Sequence, residues 1–304
     1  MWAAIQSNRR KSAFLILALA FVLVALGYLI GAMLDPRAGG PFGVFVALGV
    51  WALMMFVSFA GGERLLLAGS GAQEVRHDQA PRLFNVVEEM QLAAGLPVRP
   101  RVFIMDSEVP NAFAVGLTPG RAAVAVTTGL MARLNRDELQ GVVAHEIGHI
   151  ANRDTLFMTL AGVTVGAVVL IADLFLRGLW YGGGRTRRSS RGGGEAAAVI
   201  AIAAIVLAIL APLVARLLYF ACSRRREYLA DASAAQFTRY PEGLASALEK
   251  IATYQTGQLQ VSRAVAPMFT VNPLAAAGSA MSLFSTHPPT EDRIRVLRGM
   301  SGDA

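Results

Sequence analysis

The chain has little of several residue types on which soluble and secreted proteins rely. Among its 304 residues there is one cysteine, there are four histidines, and charged residues make up 16% of the sequence. The single Cys222 excludes an internal disulfide, so the fold does not depend on an oxidising compartment. A lone thiol could ligate a metal, but free cysteines more often pack as small hydrophobic residues.

The scarcity of charge accompanies an excess of apolar residues. The chain is 54% hydrophobic, and its mean hydropathy is +0.48. This composition is too apolar for an ordinary soluble domain and predicts membrane spans. The net charge of +7 could indicate nucleic acid. Because no aromatic-plus-basic nucleic-acid module is visible, the basic residues are interpreted as membrane flanks and no nucleic-acid partner is expected.

Four apolar runs are long enough to cross the roughly 30 Å hydrocarbon core of a bilayer. The first follows Arg9, Arg10 and Lys11 and exceeds the roughly 7–15-residue core of a signal peptide, so it is predicted to be a retained anchor. The positive-inside rule then places the N-terminus in the cytoplasm. The four runs comprise Ser12–Leu34, Pro41–Ala60, Thr155–Leu176 and Ala196 to about Ala221.

A segment rich in Gly, Arg and Ser, residues 182–194, separates the last two runs. Its composition predicts a flexible linker. If both runs cross, its arginines lie outside, against the positive-inside rule, although the length of both runs favours crossing. Two antiparallel crossings would return residue 222 to the side that residue 154 left, so a metal ligand after the fourth run could meet one before the third.

The sequence His-Glu-Ile-Gly-His at residues 145–149 predicts a metal site. On a helix, His145 and His149 share one face, so both imidazoles can reach one zinc ion, and Glu146 can take a proton from bound water. Asn135, followed three residues later by Glu138, predicts the helix start. The alternative is a pair of structural histidines. In so histidine-poor a chain, a chance match is on the order of one in several hundred.

A catalytic zinc needs a third protein ligand and keeps its fourth position for water. Glu227 and Asp231 follow the fourth run and lie four residues apart, hence on one helical face. Glu227 could complete a His-His-Glu set, while Asp231 could hold the other ring N–H of a ligand histidine. Read alone, such a pair is usually a solvated face that balances basic neighbours, here residues 224–226. Next to the histidine motif, it predicts ligation.

A small β-sheet is predicted ahead of the histidine helix. Strands are expected at Arg101–Met105, Asn111–Leu117 and Ala122–Thr128, the last two joined by a Thr-Pro-Gly-Arg turn. An amphipathic helix, Pro81–Gly95, precedes them. A strand at the sheet edge could pair with an extended peptide, or the hairpin could serve only to pack the core.

Taken together, these motifs resemble the HtpX-type membrane metalloproteases, relatives of the CAAX prenyl endopeptidases. The resemblance extends over essentially the whole chain, including the places of the four apolar runs. The matching segments are residues 111–116, 145–154, 225–231 and 285–294.

The resemblance implies a mainly α protein with a small β-sheet, in which four transmembrane helices accompany a cytoplasmic gluzincin-like zinc protease domain. It implies one Zn²⁺ per chain, a multi-pass location in the bacterial inner membrane, and cleavage of misfolded or damaged membrane proteins. The expected organisation is an N-terminal transmembrane pair at 1–60, the two halves of the protease domain at 61–154 and 222–304, and a transmembrane hairpin at 155–221.

The resemblance also assigns roles to individual residues. Glu227 would be the third ligand, with Asp231 supporting it. Glu146 would be the catalytic base. His287 and Arg293 would steady the oxyanion. The alternative is that His287 merely caps the following helix and Arg293 lies on its exposed face. The segment expected to bind substrate comprises Asn111, Ala112, Phe113 and Ala114.

Two other functional classes remain to be weighed. A non-catalytic, zinc-stabilised membrane scaffold would keep the ligands but would not need Glu146. A transporter is disfavoured because the four runs contain scarcely any ionisable residue for a substrate pathway. The expected partners are therefore unfolded or misfolded proteins and the lipid bilayer, and the sequence predicts no particular oligomeric state.

Overall fold

The structure of the chain, a computed structural model, describes residues 2–181, 195–254 and 288–301. Helices dominate the described part, as predicted, and one small sheet accompanies them. The helices are α1 Trp2–Leu34, α2 Gly39–Gly69, α3 Pro81–Ala93, α4 Thr128–Arg133, α5 Arg136–Ala151, α6 Asp154–Tyr181, α7 Glu195–Thr238, α8 Pro241–Thr253 and α9 Thr290–Ser301. The strands are β1 Gln73–Glu74, β2 Arg101–Met105, β3 Ala112–Val115 and β4 Ala123–Thr127.

Among the described residues, four helices are long and apolar enough to cross a membrane, which agrees with the predicted number. Their apolar stretches are Ala13–Leu34, Gly39–Gly61, Asp154–Leu179 and Ala198–Thr238. Helix α7, which contains Pro212, extends beyond the predicted end of the fourth run near Ala221 to Thr238, so the predicted ligand segment lies on the same helix. The predictions made for residues 182–194 lie outside the described residues.

The chain divides into two compact units. One comprises Met1–Asn8, Gly61–Met158 and Ser223–Ala304, and the other comprises Arg9–Ala60 and Thr159–Cys222. Helices α1, α2, α6 and α7 contribute residues to both.

Glycines bring the backbones of α1 and α2 into direct contact within the apolar unit. A Cβ added to Gly31 would lie 1.9 Å from the carbonyl oxygen of Gly39, and one added to Gly43 would lie 2.1 Å from that of Gly27. Small residues at such crossings replace side-chain packing by close backbone approach, which is the usual solution between helices in lipid. In the same unit, Trp51 Nε1 donates to Thr164 Oγ1 at 3.0 Å and so joins α2 to α6.

The sheet of the other unit has the strand order β1-β2-β4-β3. Strands β2 and β4 are parallel, with Val102 opposite Val124, while β3 runs antiparallel to β4 and lies at the edge among the described residues. Side chains alternate between the two faces. One face, including Val102 and Val124, packs in a core cluster with buried residues of α3, α5 and α8; the other, including Phe113, belongs to a second cluster.

Helix α5 begins as predicted. Glu138 N donates to Asn135 Oδ1 at 2.9 Å, and Asn135 N donates to Glu138 Oε2 at 2.8 Å, which forms a reciprocal capping box. Both α3 and α8 pack against α5. Contact with α8 is close: a Cβ on Gly141 would lie 2.6 Å from the Leu244 nitrogen. The histidine motif is therefore carried on the most enclosed helix of this unit.

Candidate metal centre

Three potential metal ligands from α5 and α7 converge on one point. The Nε2 atoms of His145 and His149 are 3.1 Å apart. Glu227 Oε1 lies 3.4 Å from His149 Nε2, and Glu227 Oε2 lies 3.6 Å from His145 Nε2. The structure thus brings together the three residues that the sequence predicted as ligands, which together could hold a metal ion.

The spacing and chemistry of these donors fit a tetrahedral zinc site. Zinc–nitrogen and zinc–oxygen bonds of about 2.0–2.1 Å at a tetrahedral angle separate neighbouring ligand atoms by about 3.3 Å. The imidazole nitrogens are 3.1 Å apart, and the two Glu227 oxygens each lie near a different imidazole, Oε1 at 3.4 Å from His149 Nε2 and Oε2 at 3.6 Å from His145 Nε2, so all three distances are close to that value. The side chain of His145 is fully buried, whereas that of His149 is 16% exposed, so the site opens towards solvent beside His149.

Asp231 holds His145 from behind. Its Oδ1 lies 2.9 Å from Nδ1 of His145. If Nδ1 carries the proton and donates it here, Nε2 keeps its lone pair for the ion, which is the usual arrangement of a metal-bound histidine. Arg293 from α9 fixes Asp231 in turn, since its Nε and Nη2 donate to the two carboxylate oxygens at 2.9 and 2.7 Å.

Asp154 plays the same part for His149, and the sequence interpretation assigned it no role. Its Oδ2 lies 2.8 Å from His149 Nδ1, and Arg226 forms an ion pair with Oδ1. Asp154 lies five residues beyond His149, a spacing that a continuous helix would not place on one face. The available signal was therefore its presence in the matched segment 145–154 rather than any helical pattern.

The surrounding carboxylates shift the pKa values of the site. Burial opposes the charge of Asp231, but the Arg293 guanidinium and His145 lower the pKa of this carboxyl to about 2. Burial likewise disfavours charged imidazoles, yet Asp231 and Glu227 raise the pKa of His145 above its ordinary value, while Asp154 and Glu227 raise that of His149 well above it. The site therefore attracts positive charge, which either protons or a divalent cation can supply.

Glu146 lies on α5 directly after His145 and is 1% exposed. Its negative charge is one of the influences that raise the pKa of Arg293. A buried carboxylate next to the ligand His145 is where a metalloprotease places its general base. Its role in proton transfer remains a prediction.

Arg293 is 1% exposed, so the alternative that placed it on an exposed helix face is wrong. Its guanidinium also lies 3.4 Å from Glu227 Oε2, measured from Nη1, and 3.4 Å from His145 Nδ1, measured from Nη2. Arg293 therefore lies against two of the three candidate ligands as well as against Asp231. Its role towards the oxyanion stays a prediction, and His287 lies outside the described residues.

The predicted substrate segment forms the edge strand β3 and the residue before it. Thr127 N donates to Asn111 O at 2.9 Å, and Ala112 N donates to Asn111 Oδ1 at 2.9 Å. In an antiparallel pair, hydrogen-bonded and non-bonded pairs alternate, so Phe113 continues the bonding to β4 and the backbone of Ala114 is directed to the outer edge. Strand β3 also contacts α5. An edge beside the histidine helix is where an extended substrate could pair.

Comparisons with known proteins show that the chain has relatives of similar sequence. The model of Peptidase family M48 matches residues 77–301. A protease HtpX homolog of Dictyoglomus turgidum is 42% identical over 299 residues, covering 98% of this chain and 94% of the relative. One of Streptococcus uberis is 41% identical over 300 residues, covering 99% and 100%, and one of Pyrococcus abyssi is 43% identical over 290 residues, covering 95% and 94%.

A solved structure shares the fold. The crystal structure of S. mikatae Ste24p superposes with a TM-score of 0.55 at 18% identity, covering 98% of this chain and 67% of that chain. At this identity the likeness concerns the fold alone.

Proposed function

This chain belongs to peptidase family M48 and is a membrane metalloendopeptidase, and we propose that its metal is a single Zn²⁺ held by His145, His149 and Glu227. The observation that carries this proposal is the convergence of one carboxylate and two imidazole nitrogens at separations of 3.1–3.6 Å. Two imidazole nitrogens and one carboxylate are a ligand set that suits zinc. Magnesium and calcium are typically bound by oxygen atoms alone.

The residues around the site divide the work of peptide hydrolysis. When bound, the ion supplies Lewis acidity, which makes a water molecule acidic near neutral pH and polarises a carbonyl. Glu146 accepts the proton of the attacking water and later delivers it to the leaving amine. His287 and Arg293 are proposed to donate to the oxyanion.

The edge strand supplies the substrate site in this proposal. An extended peptide lying along Asn111 and residues 112–114 would pair with the outward-directed backbone of Ala114 and so read main-chain groups rather than side chains. Such binding favours unfolded segments and a loose sequence preference. Misfolded or damaged membrane proteins are therefore the proposed substrates, in line with the protease names that the relatives carry.

The proposed location is the bacterial inner membrane, with the active site facing the cytoplasm. The basic residues at positions 9–11 precede the first apolar stretch, and the positive-inside rule keeps such residues in the cytoplasm. A cysteine-accessibility assay in intact cells tests this orientation. Labelling from the outside of a cysteine placed at Arg136, at the start of α5, would overturn it.

Substitution of Glu146 by Gln tests the reaction. The variant should bind metal as the wild type does and should cleave an unfolded substrate such as casein at least about 100-fold more slowly, because general-base catalysis contributes roughly 10²–10⁴. Glu88→Gln, the same change at an exposed position of α3, is the matched control. Wild-type cleavage by Glu146→Gln would remove the general-base assignment and favour the zinc-stabilised scaffold.

A further inference from the structure

The two ligand histidines are supported by parallel arrangements of buried charge. Behind His145 stand Asp231 at 2.9 Å and then Arg293. Behind His149 stand Asp154 at 2.8 Å and then Arg226. The family resemblance assigned roles to the first pair, Asp231 and Arg293. The second pair has the same chemistry and calls for a functional explanation of its own.

Arg226 is the buried member of a basic run. Of the three consecutive arginines at positions 224–226, Arg225 is exposed, whereas Arg226 is 2% exposed. The Cζ atom of its guanidinium lies 4.4 Å from the centre of the Phe157 ring, a cation–π contact. Burying an arginine is costly unless it is paired and hydrogen-bonded, so its contacts need to be specific ones.

Those contacts connect three helices at the metal site. Arg226 Nη2 donates to the carbonyl oxygen of Asn152 at 3.0 Å, at the end of α5. The same guanidinium pairs with Asp154, the first residue of α6. Arg226 itself belongs to α7 and directly precedes the ligand Glu227. One side chain therefore connects the end of the histidine helix to the helix that carries the third ligand.

The chain between α5 and α6 is shaped for this contact. Arg153 adopts a φ of 56°, in the left-handed region that non-glycine residues rarely occupy. The turn brings the Asp154 carboxylate back onto His149, which a continuous helix would not allow. Asn152 is held as well, since its Nδ2 donates to Ser233 Oγ of α7 at 3.0 Å. The strained junction is thus fixed to α7 at two points.

We propose that Arg226 is a positioning residue for the peptidase reaction: it orients the Asp154 carboxylate, which holds His149 with Nε2 directed at the metal. Removing the guanidinium leaves Asp154 buried beside His149 without this anchor and removes one of the two attachments of the junction to α7. This inference rests on the proposed function, because it assumes that His149 ligates the catalytic ion. Outer partners of metal ligands typically contribute about 10–100-fold to metal affinity.

The test uses the full-length chain in detergent and compares Arg226→Met, Arg226→Lys and Arg225→Met. Zn²⁺ affinity is measured by competition with a chromophoric chelator, and ligand geometry by the visible absorption of the Co²⁺-substituted protein. Arg226→Met should weaken Zn²⁺ binding by about 10–100-fold and change the Co²⁺ spectrum. Arg226→Lys should restore part of both, and the control Arg225→Met should match the wild type.

A double-mutant cycle separates positioning from general stability. If Arg226 acts through Asp154, then Asp154→Asn combined with Arg226→Met should weaken Zn²⁺ binding little more than either single change. Fully additive losses, or wild-type affinity and Co²⁺ spectrum in Arg226→Met, would overturn the proposal. If Arg226→Met fails to fold, as thermal unfolding would reveal, Arg226→Lys decides: an affinity equal to that of the wild type overturns the proposal and a partial loss supports it.

The proposed function has a different mode of failure. A wild-type protein that shows no metal-dependent cleavage of casein would contradict the peptidase assignment. The positioning role fails when the wild type cleaves and the Arg226 variants bind metal as the wild type does.

Discussion

Gly148 lies at the contact between the two helices that carry the metal ligands. It lies within the histidine motif, and a Cβ added there would be 3.2 Å from Ser233 Cβ and 3.3 Å from the Ala230 carbonyl oxygen, both on α7. These are tight but not impossible distances. Gly148→Ala therefore requires a shift of a few tenths of an ångström, and the roughly 1 kcal/mol gained in helix propensity offsets part of the cost. We expect its zinc affinity to stay within about tenfold of the wild type.

Gly148→Leu is expected to behave differently. Leucine extends the side chain by two further bonds, and carbon atoms pack at about 3.5–4.0 Å, so α7 would have to retreat by about 1–2 Å. Metal–ligand distances tolerate changes of about 0.2 Å. Glu227 would then leave the reach of the ion, and zinc affinity should fall by at least about 100-fold.

The assay is zinc competition in detergent together with thermal unfolding with and without added zinc. Gly120→Leu is the control, because no atom lies within 4 Å of a Cβ placed on Gly120. It should keep the affinity and the zinc-dependent stabilisation of the wild type. A Gly148→Leu protein that binds zinc as tightly as the wild type would refute the claim that contact between α5 and α7 sets the ligand geometry.

Two further predictions concern stability. Burial raises the pKa of Glu138, but the Lys250 ammonium and the hydrogen bonds that the Glu138 carboxylate accepts lower it below the ordinary 4.5. The stabilisation contributed by this carboxylate is therefore present above about pH 4.5 and is lost as the pH falls further. Glu138→Gln should cost about 1–2 kcal/mol of unfolding free energy at pH 7 and less near pH 3. Gly31→Ala should lower the free energy of unfolding in detergent by about 1–3 kcal/mol, because the added Cβ would lie 1.9 Å from a backbone carbonyl oxygen.

Each of these stability predictions has a matched comparison. For Glu138, the difference between variant and wild type is followed with pH, so that titrations common to both proteins cancel; a difference that grows on acidification would contradict the sign. For Gly31, the control is Gly49→Ala in α2, where a Cβ meets nothing within 4 Å. Equal unfolding of the two glycine variants would contradict the role of backbone contact between α1 and α2.

The parts of the site that could be predicted from sequence are those set within a single helix. His145 and His149 are four residues apart, as are Glu227 and Asp231, so periodicity alone places each pair on one face. That the two pairs meet is a tertiary property. It was predicted from the chemistry of zinc, which needs a third ligand, from the two antiparallel crossings that would bring the chain back to the same side, and from the family resemblance, not from periodicity.

The supporting residues of His149 were beyond the reach of such patterns. Asp154 contacts the imidazole only because the helix is interrupted at Arg153, and a run of three arginines gives no sign of which member is buried. The burial of Arg226 depends on how α7 is rotated against α5 and α6, which local propensity does not encode. Likewise, strand composition and the Thr-Pro-Gly-Arg turn predicted β2 to β4 but not the order that places β3 at the edge among the described residues.

The most direct test of the central claim is the zinc content of Glu227→Ala after exhaustive dialysis, compared with the wild type and with Glu249→Ala, an exposed change on α8. If α5 and α7 share one ion, the wild type and Glu249→Ala should retain about one equivalent and Glu227→Ala close to none, because a catalytic zinc site needs three protein ligands. Retention of a full equivalent at wild-type affinity by Glu227→Ala would contradict the account.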